Sequence, residues 1–369
     1  MNYKKIKIVT LLGTRPEFIR LSQIIPKLDK HCNHTVIHTG QNYDYELNEI
    51  FFKELKIRKP DIFLDARGTF GNQLSIISKN LEKELKKIEP EKILILGDTN
   101  SSLGAIIAKR LKIPVFHMEA GNRCYDLKVP EEVNRKIIDH ASDILMPYTK
   151  RSCENLISEG IPRRRIYITG NPIFEVINKN KNSIKKLKIL KSLKLKKNKY
   201  FLLTMHREEN VDSTRSLKKY ISSLVMINKT FKLPIIWPIH PRSKNKLSDN
   251  DQKNLSSNNI QLLNPLGFFD FITLEQNASC VLTDSGTVQE ECSIFGIPNI
   301  TLRDTTERPE TIESGSNVVT SSNEESIISS INLSLENKNT IKPPEEYLSK
   351  DVSTKVCKII LGIHYLTYA

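Results

Sequence analysis

Twice along this 369-residue chain, short apolar β-type runs alternate with amphipathic helical stretches, and that alternation leaves few folds open. In the first half the pattern predicts strands at 6–12, 35–39, 93–96, 115–118, 143–146 and 166–169. Helical stretches lie between them, for example 47–55, 74–88 and 102–111. After Gly170-Asn171-Pro172 a Lys-rich stretch interrupts the pattern, which restarts at 200–204 and continues at 234–238, 260–263, 280–283 and 298–301. Strands separated by helices must be joined by crossovers, which gives parallel sheets covered on both faces. The expected fold class is therefore α/β, with two Rossmann-like domains whose parallel sheets face a central cleft. The N-terminal domain is expected over 1–172 and a Lys-rich linker segment over 173–199. A C-terminal domain follows over 200–350, and residues 352–366 read as a final amphipathic helix.

The net charge of +14 raises the question of nucleic acid. Much of it lies in residues 179–199, where Lys and Asn dominate and no aromatic residue is available for base stacking until Tyr200. A solvated segment explains that charge, and attraction of an anionic nucleotide is the second reading. Six cysteines (Cys32, Cys124, Cys153, Cys280, Cys292, Cys357) are scattered with no CxxC pair, which argues against disulfides and a zinc site. No apolar run reaches the length of a membrane span, and the first residues lead straight into a strand. Membrane insertion is not expected, and a cytoplasmic location is.

Chemistry concentrates where strands end. In open α/β sheets ligands bind at the carboxyl ends of the strands. Gly97-Asp98-Thr99-Asn100 follows one predicted strand and Glu119-Ala120-Gly121 the next. Pro130-Glu131-Glu132 then opens a helix carrying Asn134 and Arg135. Carboxylates converging at such a crevice, without a metal-binding motif, point to acid/base chemistry. The first strand ends in Gly13-Thr14-Arg15-Pro16-Glu17, a tight turn with Pro at the first helical position. It is not the G-x-G-x-x-G fingerprint, so a bound NAD is not indicated.

The second half offers an anion site. Asp284-Ser285-Gly286-Thr287 follows a strand and starts a helix, whose free N–H groups and dipole suit a diphosphate. Glu291, further along that helix, could accept hydrogen bonds from ribose hydroxyls. His206-Arg207 ends another strand and could face phosphate, with His240 a weaker candidate of the same kind. Arg308 and Glu310 follow the 298–301 strand. Phe271 could stack on a base or simply belong to the core.

Taken together, GTRPE (13–17), LGDTNS (96–101), HMEAG (117–121), PEEVNR (130–135), HREEN (206–210), TDSGTVQEE (283–291) and TERPE (306–310) resemble the non-hydrolysing UDP-N-acetylglucosamine 2-epimerase family. The resemblance spans nearly the whole chain, with the motifs in the family's order. It implies the GT-B fold, a UDP-N-acetyl sugar substrate, no cofactor or metal, a homodimer, and a last helix (351–369) packed back on the N-terminal domain. It also implies roles. Asp98, Glu119 and Glu131 form the acid/base set, and His206 stabilises departing UDP. Arg15, with Ser285 and Gly286, faces the diphosphate, and Arg20 belongs to the substrate/UDP-binding set. Glu291 holds the ribose and Phe271 the uracil, while Arg308 and Glu310 lie near sugar and phosphates.

Three departures stand out. Arg20 replaces the family's usual Lys, exchanging a point charge for a planar fork. The loop 122–129 is shorter than usual. Asn42 replaces a His in a loop used for activation by a second substrate molecule, which puts that regulation in doubt. Segments 39–52, 117–132, 240–245 and 265–271 resemble instead the subgroup that makes UDP-N-acetyl-L-fucosamine from UDP-2-acetamido-2,6-dideoxy-L-talose. Segments 289–291 and 304–310 look more like the general UDP-GlcNAc/UDP-ManNAc enzymes, and the reading leans to the 6-deoxy subgroup. The rivals are a GT-B glycosyltransferase, a hydrolysing epimerase and a basic nucleic-acid binder.

Overall fold

The computed structural model of the chain describes residues 5–41, 45–207, 210, 214–239 and 241–363. It divides into two compact units, one built from Met1–Lys179 with Glu345–Ala369 and the other from Asn180–Pro344.

The first unit holds a six-stranded sheet of β1 (Lys7–Leu12), β2 (Asn33–His38), β3 (Ile62–Phe63), β4 (Lys92–Leu96), β5 (Val115–Met118) and β6 (Ile144–Met146). Their order is β3-β2-β1-β4-β5-β6, and every neighbouring pair is parallel. A strand covered on both faces needs no polar side, which is why β4 reads Lys-Ile-Leu-Ile-Leu with all five residues buried. On one face Val9, Leu11, Ile93, Ile95 and Val115 pack with Ile77, Leu81 and Leu85 of helix Phe70–Ile88. The strand order reverses between β1 and β4, so the crevice at the carboxyl ends of those strands is this sheet's ligand position.

The second unit repeats the design. Its strands are β7 (Phe201–Thr204), β8 (Ile235–Pro238), β9 (Ile260–Leu263), β10 (Cys280–Thr283), β11 (Asn299–Leu302) and β12 (Asn317–Thr320). The order β12-β11-β10-β7-β8-β9 is the same winding, with its reversal between β7 and β10.

Three details differ from the sequence expectations. The predicted strand at 166–169 makes only one bridge, Ile166 to Leu145. Beyond it Thr169 N still donates to Pro147 O at 3.0 Å, but Pro147 has no N–H to return, so the pairing there is one-sided. The edge strands β3, of two residues, and β12, as long as β11 beside it, were not expected. The Lys-rich segment is partly helical, over Ile173–Lys185 and Ile189–Ser192, because Ile173, Val176, Ile177 and Ile184 give the first helix a buried face.

The final helix, Val352–Gly362, belongs to the first unit and buries Val352, Val356 and Ile360 completely. Lys92 Nζ donates to Ile360 O, and Ser353 N donates to Glu175 Oε2 at 2.8 Å. Among the described residues no helix is long and apolar enough to cross a membrane, and no His/Cys/Asp/Glu group could hold a metal ion.

Candidate active site

In the first unit the candidate residues gather at the carboxyl ends of β1, β4 and β5. Glu119 follows β5 directly and adopts φ 65°, a left-handed backbone that costs a non-glycine residue. Its turn is closed by Gly121, at φ 80°, where a Cβ would lie 2.2 Å from Ser152 O. Glu119 is buried and forms an ion pair with Arg20. Tyr148 Oη donates to the same carboxylate at 3.4 Å, and the Arg20 guanidinium lies 5.6 Å from the Tyr148 ring centroid.

Asp98 ends the β4 turn. Arg135 Nε donates to its Oδ2 at 2.8 Å, and Asn134 Nδ2 donates to its backbone oxygen at 3.0 Å. Both come from helix Pro130–Ala141, whose first turn carries the half-buried Glu131. That helix is anchored at its start by Glu132, which accepts the backbone N–H groups of Cys124 and Tyr125, each at 3.1 Å, and Arg135 Nη1 at 2.7 Å. Burial opposes the Glu132 charge, but these donors outweigh it and hold its carboxyl below the ordinary range. Arg15 is half-buried at the end of β1, its guanidinium 5.7 Å from the Phe51 ring centroid.

A second layer fixes these turns. His117 Nε2 donates to Gly97 O at 3.0 Å, which directs Nδ1 to Asp139 Oδ1 at 2.9 Å. Asp139 Oδ2 accepts Gly121 N at 3.1 Å and pairs with Arg123 at 2.8 Å. The β4 and β5 turns are thereby tied to one buried carboxylate. Burial works against its charge, yet His117 and Arg123 outweigh that and hold it below the ordinary range.

Glu17 ties β1 to the same place. It accepts N–H from Gly13 and, at 3.0 Å, from Thr14, and it accepts the Thr99 hydroxyl at 2.6 Å. Burial pushes its carboxyl up to about 7 despite these donors, and the nearby Asp98 charge adds to the rise.

In the second unit Asp284, fully buried after β10, collects the β7 turn. Its Oδ2 accepts His206 N at 3.0 Å, Arg207 N at 2.9 Å and Asn210 Nδ2 at 3.0 Å. The His206 imidazole is about half exposed, with Nδ1 3.3 Å from Asp284 Oδ1. Ser285 stands at the N-cap position of helix Gly286–Phe295 without a side-chain capping bond, its hydroxyl 3.0 Å from that of Thr287. A Cβ on Gly286 would fall 2.4 Å from Glu307 Oε1, so a larger residue there requires the Glu307 carboxylate to shift. Glu307 in turn accepts Arg303 Nη1 at 2.7 Å and Arg207 Nη2 at 3.4 Å. Arg308 is buried with its Nε on Glu290, and Glu310 is buried in helix Pro309–Glu313. Glu291 is buried, while Phe271 is partly buried against the core cluster that includes Leu274, Val288 and Cys292. Asn42, Glu208, Glu209 and His240 lie outside the described residues.

Comparison with known proteins bears on this arrangement. The sequence pattern of the UDP-N-acetylglucosamine 2-epimerase family matches residues 26–361. The chain belongs to that family. It is an isomerase, and its two parallel α/β sheets are those of GT-B-like 2-epimerases. A UDP-N-acetylglucosamine 2-epimerase of Methanococcus maripaludis is 42% identical over 88% of this chain and 90% of its own. The crystal structure of the Methanocaldococcus jannaschii UDP-GlcNAc 2-epimerase, in complex with UDP-GlcNAc and UDP, has a TM-score of 0.91 at 39% identity. It covers 97% of this chain and 100% of that one. A UDP-2,3-diacetamido-2,3-dideoxy-D-glucuronate 2-epimerase of Pseudomonas aeruginosa is 34% identical over 89% of this chain and 92% of its own.

Within the first unit, then, the structure pairs Arg20 with Glu119 and sets Arg135 on Asp98. Sequence reasoning assigned no role to Glu17, His117, Arg135, Asp139, Tyr148, Asp284 or Glu307. For Glu17 a signal existed, since Thr14-x-x-Glu17 is a capping-box spacing. Asp139 and Tyr148 carried none, because their partners lie in other elements, 16 or more residues away along the chain.

Proposed function

We propose that the chain is a non-hydrolysing UDP-N-acetylhexosamine 2-epimerase that interconverts UDP-GlcNAc and UDP-ManNAc. The observation that carries the reading is the pair Asp98 and Glu119, at the carboxyl ends of adjacent parallel strands, each with its own guanidinium. C2 inversion needs proton transfer on both faces of the sugar, hence two separately placed acid/base groups. One carboxylate takes the C2 proton as the C1–O bond breaks, leaving a 2-acetamidoglycal and UDP. Another acid returns a proton to the opposite face of C2, and a UDP oxygen re-forms the bond at C1. Asp98, Glu119 and Glu131 make up this set. His206, Arg15 and the N-terminus beginning Ser285-Gly286 stabilise the departing diphosphate, while Glu291 takes the ribose and Phe271 the uracil.

The family relatives named UDP-N-acetylglucosamine 2-epimerase support the UDP-GlcNAc substrate. The second reading is the 6-deoxy substrate UDP-2-acetamido-2,6-dideoxy-L-talose. It is favoured by the short 122–129 loop, held down through Glu132 and through Arg123 on Glu159. A cytoplasmic homodimer without cofactor belongs to both readings.

Proton NMR of UDP-GlcNAc with the protein in D2O tests this. UDP-ManNAc carrying deuterium at C2 is the expected product, with a rate unaffected by EDTA or added NAD. No exchange with UDP-GlcNAc, but exchange with the 6-deoxy-L-talose nucleotide, selects the second reading. No exchange with either, and glycosyl transfer to an added acceptor, would leave a GT-B glycosyltransferase.

A further inference from the structure

Glu275 belongs to helix Phe268–Asn277 and is fully buried. It stands four residues after Phe271, so both side chains leave one side of that helix. Its carboxyl is within hydrogen-bonding contact of the Glu291 carboxyl on the adjoining helix Gly286–Phe295. From the same helix, Cys292 Sγ donates to Glu275 Oε1 at 3.1 Å. The remaining titratable neighbour is Tyr200, just before β7, whose hydroxyl is bonded to Leu274 O. No cation is among the groups acting on Glu275 among the described residues.

Two carboxylates are both acceptors, so they can be joined only through a proton held between them. Glu275 Oε2 meets no donor, and a proton on it turns that orphaned oxygen into a donor. We propose that Glu275 is held as the neutral acid and donates to Glu291, making Glu275 the positioning residue for the carboxylate that takes the ribose hydroxyls. The proposal rests on the ribose-binding reading of Glu291. Burial, then the Glu291 charge, hold the Glu275 carboxyl well above the ordinary range, in keeping with this arrangement. Glu291 keeps its negative charge for a vicinal diol, while its rotamer is fixed from behind. Deprotonation at high pH sets two buried like charges against each other, and the grip on the diol is lost.

The test compares affinities for UDP and 2′,3′-dideoxy-UDP by calorimetry from pH 6 to 10. The ratio isolates the diol, because ionisation of the uracil is common to both ligands. Wild type is expected to prefer UDP at least five-fold near neutral pH and to lose that preference on the alkaline side. Glu275→Gln, which keeps a neutral donor, is expected to retain the preference and hold it flat across the range. Glu275→Leu, similar in size but without a donor, is expected to reduce it at least five-fold, with kcat at saturating substrate little changed. A wild-type preference independent of pH, or an alkaline loss unaltered in Glu275→Gln, would overturn the proposal even if the Leu variant fails to fold. Glu291→Ala separates the two claims. If it leaves the preference intact, the ribose reading fails; if it abolishes the preference and Glu275→Leu does not, the positioning role fails.

Discussion

At the scale of single residues, the site shows how burial and hydrogen bonding contend for one proton. Glu17 receives three donors that favour its charge, yet its complete burial carries its titration up to about 7. The sign follows from proton binding. Between about pH 4.5 and 7 the folded chain holds a proton that the unfolded chain has released, so stability falls as pH rises through that window. The loss from this one group is of order 3 kcal/mol. Glu17→Gln, neutral at every pH, should flatten that part of the stability profile, as denaturant melts at pH 5 and pH 8 would show. Asp98→Asn, Glu119→Gln and Glu131→Gln should each lower kcat about 10²- to 10⁴-fold while UDP affinity stays within two-fold. A near-wild-type rate would remove that residue from the acid/base set. His206→Ala should lower kcat through poorer leaving-group stabilisation, and Asp284→Asn should do so more mildly by loosening the β7 turn. Both effects are read in initial rates at saturating substrate.

Elements place these residues by being docked on one another's ends. Helix Pro130–Ala141 starts where Glu132 satisfies two loop N–H groups, and Asn134 and Arg135 then project onto the Asp98 turn. The β5 turn accepts a left-handed Glu119 because Gly121 lies flat against Ser152 and is bonded to Asp139. Gly121→Ala combines backbone strain with a clash against backbone, so a loss of about 3 kcal/mol or more is expected from thermal unfolding. Much of this level was legible in the sequence. Apolar runs ending in Gly-Asp, Glu-Ala-Gly and Asp-Ser-Gly marked strand ends, and Pro130 and Ser285 marked helix starts. The extent of 166–169 was not legible, because its pairing depended on the neighbouring Pro147. Nor were β3, with two residues, and β12, an edge strand whose Asn-Val-Val-Thr shows no apolar alternation.

For the molecule as a whole, one consequence of the chain's path is that its last helix completes the first unit rather than the second. Val352, Val356 and Ile360 recur every four residues and are fully buried there. Ile360→Ala should therefore cost about 2–4 kcal/mol, seen in unfolding followed by circular dichroism. The sequence by itself determined the parallel α/β class, the doubled pattern and the carboxylates at strand ends, because periodicity and turn chemistry are local properties. Tertiary structure alone decided which arginine faces which carboxylate, how one Asp139 joins the β4 and β5 turns, and that Glu275 lies against Glu291. Those are contacts between residues distant along the chain, made at separations where a single proton or guanidinium changes the chemistry, and linear order does not encode them.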